Sequence, residues 1–301
     1  MGCKVLQPEG KATFQSQVTE TNTIYEIRDV FDLNDTTFAM PANCTLKFNG
    51  GVIKNCTITL DNTIIEGKEG LDSSVTLTGT CGNAVLCTDV YKLDKAGAAD
   101  CTNAMQSLVD VCKSTLLFSQ GTYKCNRVEV DKDIVIDGNM SILKSDPLTD
   151  GYGSGKNVIT ISGCDNATVK NIHFEGAGTN TSRNTTVKNE SPLHFVDVKN
   201  VSVTGCKFSG HVAGKFNVDA GDCEYLFKAT CLTCTGCNHV EVCECEFYDN
   251  NMGEWVWISP SEDGSYLLEN SAASFSFQKI KALLAVHKMA RQRTPLLSIK
   301  L

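Results

Sequence analysis

The sequence predicts an all-β protein, a solenoid of short stacked strands. Three stretches of the chain superimpose: Asn166-Ala-Thr-Val-Lys-Asn-Ile-His-Phe-Glu-Gly176, Asn200-Val-Ser-Val-Thr-Gly-Cys-Lys-Phe-Ser-Gly210 and His239-Val-Glu-Val-Cys-Glu-Cys-Glu-Phe-Tyr-Asp249, spaced by 34 and then 39 residues. Their apolar frame is Val169/Val203/Val242, Ile172/Cys206/Cys245 and Phe174/Phe208/Phe247. A unit of two or three short strands cannot bury its own apolar face, so equivalent positions must lie over one another in a continuous core. Composition agrees: 24 Gly but 6 Pro, with Val, Ile, Thr and Asn in alternating runs, favours strands joined by tight turns.

Residues 1–22 are polar and read as a loose arm. From Thr23 to about residue 95 the chain runs in short alternating segments, such as Cys44-Thr-Leu-Lys-Phe48 and Cys56-Thr-Ile-Thr-Leu60, broken by Asn or Gly every six to ten residues as in a strand-rich module. Residues 96–260 then hold the principal stack. Its first element is a helix over Asp100–Lys113, capped by Asp100 or Thr102, with Ala104, Leu108, Val109, Val111 and Cys112 along one stripe.

Residues 261–301 differ in character. The last 32 residues carry six Lys or Arg and no Asp or Glu, in a chain of net charge −8. Phe277, Ile280, Leu283, Leu284 and Met289 suggest an amphipathic basic helix. It is a cap over the open last rung, a surface for a partner or membrane, or an altered end.

Sixteen cysteines suggest a disulfide framework or a metal site until they are placed on the repeat. Cys206 and Cys245 take the position of Ile172, Cys234 that of Phe195, and Cys164 and Cys237 that of Val198. Free cysteine packs as a small hydrophobe, so core filling is favoured over the zinc reading of Cys231-x2-Cys234-x2-Cys237, which has no second pair at zinc-finger distance. Neither a metal nor a cofactor is expected. Sequons such as Asn34-Asp-Thr and Asn43-Cys-Thr are read as turn asparagines.

The acidic balance argues against a nucleic-acid surface. No run of about 18 apolar residues is present, so no transmembrane helix is expected, and the N-terminus has no apolar secretory stretch, which places synthesis in the cytoplasm.

Helix 100–113, then Leu116-Leu-Phe-Ser-Gln-Gly-Thr-Tyr123, then Val128-Glu-Val-Asp-Lys-Asp-Ile-Val-Ile-Asp-Gly138 resembles the entry to the pectate-lyase-like right-handed parallel β-helix superfamily. Residues 41–67 look like the leading module of phage tailspike and tail-appendage β-helix proteins. The resemblance implies a right-handed parallel β-helix with a short N-terminal capping helix, and implies no particular activity, because the superfamily holds lyases, hydrolases, epimerases and adhesins. Its paired Asp-Asp with Gly-His-Gly and its calcium-binding Asp cluster with Arg-x-Pro-x-Arg are not found in this chain.

A site must therefore be argued from position. Insertions at about 177–190 and 211–229 leave the repeat at equivalent places, and the segment after Phe247 leaves there too, so all three emerge on one flank and wall a groove. Asp219, Asp222, Glu224, Asp249 and Glu254 are the candidate catalytic carboxylates, acting as acid, base or nucleophile at a glycosidic bond. Arg183, His211 and Lys215 are candidate substrate contacts, with elimination from a uronic acid by a Lys, His or Tyr base as the alternative chemistry. Trp255 and Trp257, two apart on one face of a strand, are either a sugar platform or core.

Three functional expectations follow. The first is a tailspike-like or adhesin-like protein that binds, and in one version depolymerises, a cell-surface polysaccharide at a virion or cell surface, as a homotrimer. The second is a stand-alone polysaccharide lyase or glycoside hydrolase. The third is a non-catalytic structural appendage.

Overall fold

The computed structural model describes residues 2–8, 13–144, 158–176, 192–211, 231–250, 256–269, 272–274 and 297–298, with side chains described as far as Asn250. It is predominantly β with parallel sheets, and divides into two compact units, Met1–Tyr123 and Lys124–Leu301. The basic segment 277–293 lies outside the described residues.

In the first unit, Gly2–Val5 pairs in parallel with Thr23–Ile27, which pairs with Thr45–Phe48, which pairs with the end of Val52–Glu66. The start and middle of that long strand also pair with Val30–Ala39, and its middle with Val75–Cys81. The expected loose arm is instead packed, because Leu6, Phe14 and Val18 supply three buried apolar side chains among its polar residues. Phe14, from the short helix Phe14–Gln17, stands edge-on to Phe31 at 5.2 Å and tilted on Phe38 at 4.7 Å. The expected longer helix forms over Thr102–Val111 and buries Ala104, Met105, Leu108, Val109 and Val111, its apolar stripe lying on Val75–Cys81. Asp100 accepts from the Thr102 backbone N–H at 2.8 Å at its start.

The second unit is built from three parallel ladders. The first runs Val128–Val130, Ile159–Ser162, Leu193–Val196, Leu232–Thr235, Val256–Ser259. The second runs Ile134–Asp137, Asn166–Lys170, Asn200–Thr204, His239–Cys243, Ser265–Glu269. The third runs Ser141–Lys144, Ile172–Glu175 with Lys207–Ser209, then Glu246–Tyr248 and Ala272–Ser274. Leu297–Ser298 pairs antiparallel with Trp257–Ile258.

The apolar frame stacks as the alignment requires. Ile136, Val169, Val203, Val242 and Leu268 occupy one register column, and Leu143, Phe174, Phe208 and Phe247 another. The Phe174 and Phe208 rings are nearly coplanar in tilt (11°) at 5.1 Å, as are Phe208 and Phe247 (5°) at 4.9 Å. All three side chains are buried. One-residue slips would turn these columns to the opposite face, so the register is fixed by the core itself.

Most of the described cysteines lie where apolar residues would, with Cys3 exposed and Cys87 and Cys243 half-buried. Cys206, Cys231, Cys234, Cys237 and Cys245 are fully buried, and Cys234 stands in register with Phe195. The Sγ atoms of Cys206 and Cys245 each point at the carbonyl of a valine one rung earlier, Val169 at 3.7 Å and Val203 at 3.6 Å. Burial pushes the Cys206 and Cys234 thiols well above their ordinary pKa.

Corners between ladders repeat as well. Asn171, Gly205 and Glu244, at one repeat position, share φ of 56°, 62° and 56°, and Gly163, Asp197 and Gly236 share φ of 64°, 52° and 67°. Among the described residues, seven of the 14 non-glycine residues with positive φ are Asn, Asn34 and Asn43 among them, which accounts for the asparagines of those sequons as turn residues. Asn200 instead extends a side-chain ladder: its Nδ2 donates to Asn166 Oδ1 at 3.0 Å, and Asn166 Nδ2 to Asp133 at 2.8 Å.

Candidate functional site

The chain leaves the third ladder after Gly176, Gly210 and Asp249 and rejoins the first ladder at Leu193, Leu232 and Val256. Gly176 is confined to glycine by proximity, since a Cβ there would lie 2.3 Å from the Gly210 carbonyl oxygen. Each insertion thus begins at the third ladder and ends at the first.

In the third ladder the strands alternate about the buried phenylalanines, so the residues flanking each Phe face out. Register aligns His173, Lys207 and Glu246 in one such row and Lys144, Glu175, Ser209 and Tyr248 in the next. His173 Nε2 lies 2.6 Å from Ser209 Oγ and 3.2 Å from the Tyr248 hydroxyl. Tyr248 reaches it across two rungs, about 10 Å of ladder at about 4.8 Å per rung, with its ring 5.9 Å from the imidazole. Around them Lys144 pairs with Glu175 at 3.1 Å and Lys207 with Glu246 at 3.0 Å, so the patch carries many charges but little net charge.

His173 is half-buried, and that desolvation holds its pKa below the usual histidine value. The neutral ring is therefore favoured at pH 7, and its Nδ1–H tautomer presents Nε2 as an acceptor. Ser209 is 6% exposed, with its hydroxyl directed to that nitrogen.

On the opposite flank, Thr160, His194, Thr233 and Trp257 share a register column, between columns holding the buried Leu193 and Leu232 on one side and Phe195 and Cys234 on the other. Trp257 thus takes the register position of half-buried Thr233, whereas Val256 and Ile258 take those of the buried Leu232 and Cys234. His194 Nε2 lies 3.5 Å from Thr235 Oγ1, and burial lowers its pKa.

Of the sequence-derived candidates, Asp249 is exposed at a left-handed corner (φ 51°) beside Tyr248. His211 is 1% exposed, and its Nε2 donates to the Phe174 carbonyl at 3.0 Å, so its ring is committed to the corner rather than to the open surface. Its backbone N–H is held by Asn250 Oδ1 at 3.0 Å, and Asn250 Nδ2 in turn donates to the Phe208 carbonyl. Arg183, Lys215, Asp219, Asp222, Glu224, Glu254 and Trp255 lie outside the described residues. His173, Ser209 and Tyr248 were not singled out from the sequence, although they are the residues that flank Phe174, Phe208 and Phe247 in the aligned repeats.

No helix among the described residues is long and apolar enough to cross a membrane. No family model matches the chain, and no curated protein matches it. Among solved structures, one described as a “putative glycosyl hydrolase”, from Parabacteroides merdae, is similar over 64% of this chain and 98% of its own, at 13% identity and a TM-score of 0.41, a likeness too distant to carry an argument about function.

Proposed function

We propose that the chain is a right-handed parallel β-helix that holds a polysaccharide along the corner between its third and first ladders. The observation that carries this reading is the pair of polar rows, His173–Ser209–Tyr248 with its lysines and glutamates in the third ladder and Thr160–His194–Thr233 in the first, the latter continued in register by Trp257. The rows run along the stacking direction with a spacing of about 4.8 Å. That is comparable to the length of one sugar in an extended chain, so successive rungs meet successive sugars. Hydroxyls, imidazoles and paired charges are the donors and acceptors that sugar hydroxyls require, and an indole supplies an apolar platform.

In this reading the protein is a homotrimeric appendage at a virion or cell surface, supported by the similarity of residues 41–67 to tail-appendage modules. Loop carboxylates Asp219, Asp222, Glu224 and Glu254, with Asp249, complete the groove and act on the glycosidic bond if the glycan is cleaved. A glycan array containing bacterial capsular polysaccharides, followed by assay of reducing ends and unsaturated products, tests both parts. Binding that His194→Ala together with Trp257→Ala abolishes supports the groove. An array with no hits from correctly folded protein refutes it. Cleavage unaffected by conversion of each of the five carboxylates to its amide removes them from the chemistry, whereas loss on the order of 100-fold with binding retained marks an acid or base.

A further inference from the structure

We propose that Ser209, His173 and Tyr248 form an ester-hydrolysing site that removes O-acyl groups from the bound polysaccharide. This deepens the polysaccharide reading for its substrate, while the ester chemistry itself stands on the three side chains. A serine hydroxyl 2.6 Å from an imidazole nitrogen is the nucleophile–base contact that acyl transfer needs, and the Tyr248 hydroxyl lies 3.2 Å from the same nitrogen. The desolvation that lowers the His173 pKa favours the neutral ring, which in its Nδ1–H tautomer accepts the serine proton at Nε2. The three residues occupy register positions that alternate with Phe174, Phe208 and Phe247, which fill the inside.

In the first half-reaction Ser209 Oγ forms a bond to the ester carbonyl carbon as its proton passes to His173 Nε2. The Tyr248 hydroxyl donates to the oxyanion. The tetrahedral intermediate then breaks its bond to the sugar oxygen, which takes the proton from Nε2 and leaves as a free hydroxyl. In the second half-reaction water, losing a proton to Nε2, attacks the acyl-serine. Collapse returns that proton to Oγ and releases the carboxylic acid. No oxidant, reductant or metal enters the balance.

Two measurements that need no glycan isolate this step. Incubation of the native protein with a fluorophosphonate, followed by peptide mass spectrometry, should place one adduct on Ser209. Hydrolysis of p-nitrophenyl acetate should fall on the order of 100-fold or more in Ser209→Ala and in His173→Gln, with the melting temperature of each variant measured alongside. The wild-type rate should hold level from neutral pH to below about 6.5 and fall as His173 becomes protonated at lower pH. Absence of an adduct on Ser209, or a folded Ser209→Ala protein that hydrolyses the ester at the parent rate, overturns the proposal. Adduct and ester turnover without any glycan array hit would instead keep the esterase and discard the polysaccharide groove.

Discussion

Phe208→Ala is the perturbation that most directly weighs the internal stack. Its ring lies between Phe174 at 5.1 Å and Phe247 at 4.9 Å, both nearly parallel to it, and its side chain is fully buried. Truncating a buried phenylalanine costs roughly 3–5 kcal/mol, and each aromatic pair contributes roughly 0.5–1.5 kcal/mol beyond area burial. Two pairs are lost at once, and the neighbouring rungs are pinned by ladder hydrogen bonds and cannot collapse into the gap. Phe208→Ala should therefore fall at the upper end, about 4–5 kcal/mol. Phe247→Ala breaks one such pair, because Ala273 occupies the next register position, and should cost about 1 kcal/mol less. Urea unfolding followed by circular dichroism gives both values. In a unit of 150–250 residues the thermal midpoint should drop by roughly 10–15 °C for Phe208→Ala. A loss below about 1.5 kcal/mol, or equal losses for the two variants, would refute the stacked-column account.

Three further outcomes follow from the same structure. Trp257→Ala should weaken polysaccharide binding and leave the melting temperature within about 3 °C, while Ile258→Ala, at the register position of buried Cys234, should cost roughly 2–4 kcal/mol in urea unfolding. Asp133 has its pKa lowered by the Asn166 side chain, then by the Asn166 and Asp165 backbone N–H groups. Because the folded pKa lies below the unfolded value of about 3.9, its contribution is complete above that pH and is lost as pH falls through the folded pKa, so the stability gap between wild type and Asp133→Asn should close below about pH 3.9. Denatured protein should show close to 16 thiols with Ellman's reagent, whereas buried Cys206 and Cys234 should react in native protein only on the timescale of unfolding; rapid native labelling at either would contradict their packing.

The apolar columns were legible because stacked parallel ladders place their core residues at fixed intervals along the chain. Val169, Val203 and Val242 align in the text and pair in space, and the cysteines could be placed by the same ruler. The outward rows were not legible as a site. His173, Ser209 and Tyr248 are 36 and 39 residues apart in turn, and each alone looks like a solvated strand position. Their meeting depends on a diagonal across three rungs, which side-chain length and rotamer decide and an alignment does not. His211 misled in the opposite sense: it follows a glycine at a loop exit, as a substrate contact would, but the corner turns it inward to Phe174. In the first residues, Leu6, Phe14 and Val18 were too sparse to show a period, yet three apolar side chains sufficed to anchor them.

The interval between contacting residues has a consequence for how the second unit comes to be folded. Its side-chain contacts from one rung to the next span 33 residues from Asp133 to Asn166, 34 from Asn166 to Asn200 and 42 from Val203 to Cys245, so the chain separation bridged at each addition hardly changes along the stack. The entropy lost in closing such a span grows only with the logarithm of its length, and the variation between these intervals amounts to roughly 0.2 kcal/mol. Every rung after the first is therefore added against nearly the same entropic barrier, onto a template whose open ladder groups are already aligned. Growth of this kind makes the first completed pair of rungs the slow event and the later ones fast, and it allows a nascent chain to assemble the stack in the order in which it is synthesised.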